Sequence, residues 1–158
     1  MDLTDEDFLN ATYPREDLSP AGDENYILRW VINKCALTGE AVYVHKIIGS
    51  DWAREPHDHP KPFVSIGLKG SYVEEVYTAS YEYGLQQETS VVWEAPWYRS
   101  FPANHIHRLV VPEGQDPAWT LCLTGQVAVD RAEEWGFYSP DGSRTLFRDY
   151  MRENWGWE

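Results

Sequence analysis

The sequence predicts an all-β domain of the jelly-roll kind, a sandwich or barrel built from short strands. Runs rich in β-branched and aromatic residues recur from Tyr26 onward. Clusters of glycine, proline and aspartate separate these runs at close spacing. No long helical period precedes residue 143, and a chain of 158 residues is long enough for one domain with a hydrophobic core.

The strand-like runs can be placed in chain order. YILRWVI begins at Tyr26 and is followed by AVYVHKII, and then by PFVSIGLKG and SYVEEVYTASYEY, which meet at Lys69–Gly70. The set of about eight strands is completed by TSVVWEA, WYRSF, HRLVVP and AWTLCLTG. The tail RTLFRDYMRENWGWE predicts a short C-terminal helix that docks Leu146, Phe147 and Tyr150 on the domain.

The first 25 residues differ from the rest of the chain. They are acidic and contain two prolines. Residues 1–25 therefore predict an irregular N-terminal arm, with a short helix near residues 5–10. Residues 26–158 predict a single domain that includes the docked tail.

Charge and cysteine content limit the partners and the setting. The net charge of −13 argues against nucleic-acid backbones and anionic membranes, which leaves a small molecule as the expected partner. No apolar run reaches the roughly 18 residues of a membrane span, and the acidic N-terminus lacks a signal-peptide pattern. Cys35 and Cys122 form no CxxC motif, so a reduced, cytoplasmic setting is expected.

Four of the five histidines occur as two His-x-His pairs, each at the start of a predicted strand. The pairs are His57 with His59 and His105 with His107. On a strand, such a pair places both imidazoles on one face, about 7 Å apart along the chain. Two pairs can supply up to four nitrogens, a donor set that suits a divalent transition metal. Three ligands with open positions would be a catalytic arrangement, and four closed ligands a structural one.

Strand alternation points to a carboxylate inside the barrel. A two-residue turn at Lys69–Gly70 would pair Ser65 with Glu74 and turn Tyr72 and Glu74 toward the interior. A buried carboxylate must be paired, hydrogen-bonded or bound to a metal, which makes Glu74 and Tyr72 candidate catalytic residues. A solvent-exposed or salt-bridged Glu74 is the alternative, and a one-residue slip would exchange Glu74 for Glu75.

The two histidine motifs resemble those of small single-domain cupins. In the first, His57-Asp58-His59 is followed by Gly70 at the family spacing. In the second, Pro102 precedes His107 at the family spacing, and Asn104 replaces a glycine as a residue that tolerates positive φ. The resemblance implies a double-stranded β-helix barrel whose metal ligands are His57, His59 and His107. It leaves His105 beside the site, as a group that supports the ligands or lines the rim.

The chain departs from the cupin pattern at one ligand. The glutamate of the first motif should stand at residue 63 or 64, which are Phe63 and Val64. Cupin oxygenases that resemble cysteine dioxygenase also lack this glutamate and bind iron through three histidines. Alternatively, Glu74 could approach the vacant position. The HDHP start at His57 and the later WGFY also resemble uncharacterised bacterial and phage cupins, which offer no function to transfer.

The favoured function is a mononuclear non-haem Fe(II) oxygenase acting on a small molecule, with Mn, Ni or Zn as other metals for the site. A redox-neutral lyase or isomerase is the alternative, in which Glu74 or a tyrosine moves the proton. The third reading is a non-catalytic metal- or ligand-binding cupin. The resemblance also makes a homodimer plausible.

Substrate contacts are predicted at three positions. Arg99 and Arg108 lie near the second motif and could hold an anionic substrate through bidentate hydrogen bonds. Trp93 could line the pocket together with Tyr72. Solvated or ion-paired arginines and ordinary aromatic core packing are the competing interpretations.

Overall fold

The structure is a computed structural model that describes residues 4, 13–53, 55–126 and 135–158. Strands dominate it, and one helix closes the chain. The strands are β1 (Arg15–Asp17), β2 (Ile27–Lys34), β3 (Ala41–Ile47), β4 (Phe63–Lys69), β5 (Ser71–Ser80), β6 (Gly84–Glu94), β7 (Trp97–Phe101), β8 (Ile106–Val110), β9 (Ala118–Thr124), β10 (Gly136–Tyr138) and β11 (Arg144–Leu146). The helix is α1 (Phe147–Trp155).

The strands form antiparallel sheets. The large sheet has the strand order β1-β2-β3-β9-β4-β7, and a second sheet has the order β6-β5-β8. β10 and β11 form a two-stranded ribbon. From β3 onward, neighbours in the large sheet are distant in sequence, since β9 lies between β3 and β4. This strand-rich, antiparallel arrangement confirms the predicted jelly-roll class.

Side-chain alternation divides each strand between an interior face and an outer face. One buried cluster lies between the two sheets and includes Ile27, Ile47, Tyr72, Trp97 and Leu109. A second cluster covers the other face of the large sheet, where Trp30 and Trp119 stack with ring centroids 5.6 Å apart. The interior face of the large sheet is therefore free to line a cavity.

The hairpin predicted at Lys69–Gly70 is wrong. β4 pairs with β7 and β9, whereas β5 pairs with β6 and β8, so the chain passes from one sheet to the other at this point. Gly70 has φ +80°, and a Cβ there would lie 2.7 Å from the carbonyl oxygen of Pro117, so the crossing needs glycine. Alternation along β5 still buries Tyr72 and Glu74.

Both ends of the described chain pack on the sheets. β1 lies within the predicted N-terminal arm, yet it pairs with β2 as an edge strand. The helix predicted near residues 5–10 lies outside the described residues. The C-terminal helix is confirmed: Met151 is buried, Phe147 stacks on Trp135 with centroids 4.3 Å apart, and Tyr150 packs against Phe137 at 4.1 Å. Within the described ranges, no helix has the length and apolar character needed to cross a membrane.

Candidate metal centre

Backbone hydrogen bonds bring three histidines together at one end of the interior. His57 and His59 lie in the segment before β4, and His107 lies on β8. The amide of His57 donates to the carbonyl of His107 at 2.9 Å, and the amide of His107 donates back at 3.0 Å. The amide of His59 donates to the carbonyl of Ala103 at 2.9 Å. The segment before β4 is therefore held as a short strand-like bridge against β8.

The three imidazoles converge on one point. One ring nitrogen from each of His57, His59 and His107 lies within 4.8 Å of the other two. Nδ1 of His59 is buried and has no hydrogen-bond partner among the described residues. A buried ring nitrogen without a partner is costly in a protein interior, and a metal ion would satisfy it. The residues present therefore fit a divalent transition metal.

The ionisation of these imidazoles also suits a ligand role. Burial lowers the pKa of His59 well below its usual value, and the neighbouring histidines lower it further. Burial, followed by the charges of His57, His105 and Arg99, does the same to the pKa of His107. Both rings are therefore neutral near pH 7, which is the form that donates a lone pair to a metal.

A carboxylate stands behind the first histidine. Asp51 Oδ2 lies 3.6 Å from Nδ1 of His57. Its oxygens are fixed by the backbone amide of Leu109 at 2.7 Å and by the hydroxyl of Tyr26 at 2.5 Å. At 3.6 Å this carboxylate is beyond a normal hydrogen bond, so it acts on the His57 imidazole through its negative charge.

A second carboxylate, Glu74, stands behind His107. Glu74 is completely buried, and its Oε1 lies 3.1 Å from Nδ1 of His107 and 2.6 Å from Nε2 of His105. Its Oε2 accepts a hydrogen bond from Nε1 of Trp93 at 3.1 Å and forms an ion pair with Arg99. This set of partners offsets the cost of burying the carboxylate.

Glu74, His105 and His107 form a second triplet with ligand atoms within 4.8 Å of one another. In this triplet both carboxylate oxygens already have donors, and the contact with His107 uses Nδ1. That contact leaves Nε2 of His107 for a metal shared with His57 and His59. We therefore take the three histidines as the candidate centre and Glu74 as the carboxylate that orients one of them.

The aspartate between the two paired histidines points away from them. Asp58 is fully buried and accepts hydrogen bonds from the amide of Gly136 at 2.8 Å and from the hydroxyl of Tyr138 at 3.0 Å. Nη1 of Arg144 lies 3.1 Å from its Oδ2. Asp58 thus ties the segment that carries His57 and His59 to the ribbon of β10 and β11.

The three histidines line a cavity of about 560 Å³. Its polar lining includes Tyr72, whose pKa burial raises to about 12, so the phenol is protonated at neutral pH and serves as a donor. Much of the remaining wall is aromatic, contributed by Trp52, Phe101, Trp135, Phe137, Phe147 and Trp157. A cavity of this size and character suits a small organic ligand.

The predicted substrate contacts do not meet at this cavity. Arg99 lies against Trp93 and Phe101, with its guanidinium carbon 3.9 Å and 4.2 Å from the two ring centroids, and pairs with Glu74. Arg108 pairs with Glu75 at 2.8 Å. None of Arg99, Arg108 and Trp93 is among the described residues that line the cavity. Their assignment as substrate contacts therefore has no support from the geometry.

Sequence reasoning missed a polar part of the cavity wall, which carries two cations and one neutral histidine. Arg29 on β2, His45 on β3 and Lys61 before β4 all line the cavity. Arg29 and His45 each sit within a strongly apolar run, and a polar residue flanked by core residues on a strand was the signal that could have found them. Asn104, which stands where the family motif has a glycine, does not use the positive-φ region, since Glu24 is the non-glycine residue with positive φ in the described part of the chain.

Comparison with solved structures identifies the fold class. HppE in its Fe(II) form aligns with TM-score 0.55 and 9% identity, over 73% of this chain and 58% of HppE. A cupin-2 domain protein of Rhodospirillum rubrum aligns with TM-score 0.52 and 11% identity, over 75% of this chain and 69% of the other. KdgF from Halomonas sp. aligns with TM-score 0.51 and 14% identity, over 75% of this chain and 94% of KdgF.

These likenesses show that the chain has the cupin fold, as the histidine motifs implied. This chain spans little more than half the length of HppE. Neither a protein-family model nor a curated protein sequence matches the chain.

Proposed function

We propose that this protein is a metal-dependent cupin enzyme that holds one divalent transition metal through His57, His59 and His107. The observation that carries the proposal is the convergence of three imidazole nitrogens within 4.8 Å, on the wall of a cavity large enough for a small molecule. Three protein ligands leave coordination positions free, which is the arrangement of a catalytic site.

Fe(II) is the favoured metal, and an oxygenase acting on a small organic molecule is the favoured activity. The support is the all-histidine donor set, since Phe63 and Val64 stand where a cupin glutamate would complete the site. HppE, which shares the fold, is an Fe(II) protein. Bound Fe(II) would supply redox chemistry toward dioxygen.

The residues of the chain have separate tasks in this proposal. Glu74 orients His107 through its contact with Nδ1, and Asp51 places a negative charge beside His57. The aromatic wall excludes water from the cavity and packs against the substrate. Glu74 acts through His107 as a positioning residue, because its oxygens are already occupied by donors.

A redox-neutral lyase or isomerase is the second candidate, and Tyr72 favours it. The phenol lines the same cavity as the three histidines, and with a pKa of about 12 it carries its proton at neutral pH. In that case Tyr72 would hold and deliver the proton to the substrate. Oxygen uptake separates the two candidates, because only the oxygenase consumes dioxygen.

Metal content tests the proposal first. The full chain, purified without chelators or a histidine tag, should contain near one equivalent of metal, and His57→Ala/His107→Ala should contain none. His45→Gln is the matched control, because His45 lies outside the triplet, and it should keep the metal. His105→Gln should also keep the metal, which distinguishes the proposed triplet from the one with Glu74.

The metal found decides the next step. Iron leads to oxygen-consumption screens on small organic molecules. Nickel, manganese or zinc at the same site shifts the proposal to the lyase or isomerase. The absence of metal in the parent after reconstitution with each of these ions would overturn the proposal and leave a cupin that binds a ligand without one.

A further inference from the structure

The interior face of the large sheet carries polar groups in register beneath the cavity. Arg29 on β2 pairs with His45 on β3, and His45 pairs with Thr120 on β9. In the adjacent row, Tyr43 pairs with Cys122, and Cys122 with Ser65 on β4. All six side chains line the cavity. The floor is therefore polar, while much of the opposite wall is aromatic.

The Arg29 guanidinium is fixed in direction by two neighbours. Its Nε donates a hydrogen bond to Nε2 of His45 at 3.0 Å. Its guanidinium carbon lies 4.2 Å from the centroid of the Tyr43 ring, in a cation–π contact. The Tyr43 and His45 rings are nearly parallel, with centroids 5.8 Å apart. Because Nε is engaged, the edge formed by the two Nη atoms is the part of Arg29 that can hold a two-oxygen partner, and within the described ranges it carries only the long contact with Glu16.

Among the described residues, the acid paired with that edge is Glu16, which holds it weakly. Glu16 Oε2 lies 3.6 Å from Nη1 of Arg29, beyond a normal hydrogen bond, and the Glu16 side chain is 47% exposed. An exposed pair of this kind contributes little and is easily displaced. The carboxylates that line the cavity are engaged elsewhere, since Asp51 binds Leu109 and Tyr26, and Asp17 accepts from the amides of Ser19 and Glu24.

A second cation shares this region. Lys61 lines the cavity and donates to the carbonyl of Gly39. Burial lowers the pKa of Lys61, and the positive charges of Lys34 and Arg29 lower it further. Lys61 is therefore close enough to both to be repelled by their charges. In a chain with a net charge of −13, a cavity wall that gathers cations is positioned to attract an anion.

We propose that the substrate is a small organic anion whose carboxylate binds the Nη edge of Arg29, with Lys61 adding positive charge nearby. The rest of the molecule would extend over the polar floor toward His57, His59 and His107. Phe63, which packs against His59 at 4.8 Å, lies one row beyond Tyr43 and Ser65, and successive rows are about 7 Å apart. This inference rests on the proposed function, because it names the substrate class of the same cavity.

Matched pairs of compounds that differ only in charge test the inference. Acetate and acetamide, succinate and succinamide, benzoate and benzamide, and phenylacetate and phenylacetamide are titrated against the full metal-loaded chain by ligand-observed NMR. At least one carboxylate should bind the parent about tenfold or more tightly than its amide. Arg29→Gln should abolish this preference, and Arg108→Gln, which alters an arginine away from the cavity, should keep it.

Two results would overturn the inference. One is the absence of any carboxylate preference in the parent across the four pairs. The other is a preference that survives in Arg29→Gln, since the anion would then bind elsewhere, for example on the metal. If circular dichroism shows that Arg29→Gln does not fold, Arg29→Lys is tested in its place. Lysine keeps the positive charge but cannot donate two parallel hydrogen bonds to a carboxylate. The preference for the carboxylate over its amide should therefore fall at least about threefold.

The metal content of every sample is measured beside the titration. Loss of the anion preference with full metal content in Arg29→Gln is the expected result. An absent preference in a parent that holds its metal overturns the anion site alone. A parent that binds carboxylates through Arg29 but holds no metal overturns the proposed metalloenzyme and leaves the anion site standing.

Discussion

Glu74 Oε1 lies 3.1 Å from Nδ1 of His107, and this contact connects the candidate metal centre to a buried ion pair. The carboxylate also pairs with Arg99 and accepts from Trp93 and His105. Because the contact uses Nδ1, Nε2 is the ring nitrogen of His107 that is left to bind a metal. The centre thus depends on a carboxylate that sits on a different strand from any of the three histidines.

Glu74→Gln should weaken metal binding by about 10- to 100-fold, because the neutral amide orients His107 less firmly and lowers its basicity. The change also removes the counter-charge of the partly buried Arg99 and should destabilise the fold by about 3 kcal/mol. Metal affinity is measured by competition with a chromophoric chelator, at a temperature where circular dichroism shows the variant to be folded.

Glu75→Gln is the matched control for this change. Glu75 is the next residue on β5 but faces the other side of the sheet, where it binds Arg108 and Tyr77. Glu75→Gln should therefore leave the metal affinity unchanged. Equal affinities of the parent and Glu74→Gln would show that Glu74 has no part in positioning His107.

Asp58→Ala should destabilise the protein by about 3 kcal/mol without removing a metal ligand. The substitution leaves the buried amide of Gly136 without its acceptor and removes the partner of Arg144 and Tyr138. Urea denaturation measures the loss, and hydrogen exchange should show faster opening of β10 and β11. Asp116→Ala, at an exposed loop position, is the control and should change the free energy of unfolding by less than about 0.5 kcal/mol.

The positions predicted from sequence were those encoded by local patterns. The His-x-His spacing marked two histidine pairs, and the resemblance to cupins selected His57, His59 and His107 from them. The structure brings these three rings together through a backbone bridge between the two motifs. Alternation along β5 likewise put Glu74 inside, although the hairpin used to derive it does not exist. The face of the sheet to which a side chain points follows from local alternation along its strand. The strand that pairs with it is set by residues far away in the sequence.

The features that sequence reasoning missed are set by long-range pairing. Arg29 and Lys61 are 32 positions apart and line the same cavity because β9 joins β3 to β4 in the large sheet. Arg99 looked like a substrate ligand because it is cationic and near the second motif. In the structure Arg99 pairs with Glu74, which lies 25 residues earlier and on the opposite sheet. No local pattern specifies such an encounter.

Gly67→Ala should destabilise the protein by about 2 kcal/mol, because overpacking a filled interior forces backbone or side-chain shifts. A Cβ at Gly67 would lie 2.2 Å from the ring of Trp97, which is paired with it across β4 and β7. Gly67→Ala/Trp97→Leu makes room for the new methyl group. The double variant should therefore lose less stability than the sum of the two single variants, as measured by urea denaturation. If the losses of stability in the two single variants sum to the loss in the double variant, the contact with the Trp97 ring is not the cause of the destabilisation in Gly67→Ala.

Protonation of His45 should make the protein less stable in mild acid. Burial lowers the pKa of His45 well below 6.5, and the charge of Arg29 lowers it further. Below pH 6.5 the unfolded chain binds a proton at His45 that the folded protein does not bind. The free energy of unfolding therefore falls as the pH is lowered below 6.5, and the contribution of one such group is at most about 1.4 kcal/mol per pH unit.

His45→Gln isolates this contribution, because glutamine does not titrate and its carbonyl can still accept the hydrogen bond from Arg29. The other buried histidines titrate in both proteins and cancel in the difference between them. Urea denaturation of the parent and the variant at pH 7.5, 6.5 and 5.5 gives that difference at each pH. The stability of the parent relative to His45→Gln should fall between pH 6.5 and 5.5 and stay nearly constant above that range, since neither state of the parent is protonated at His45 there. A difference that does not change with pH would mean that His45 titrates alike in the folded and unfolded chains, and that the Arg29–His45 contact does not hold the imidazole neutral.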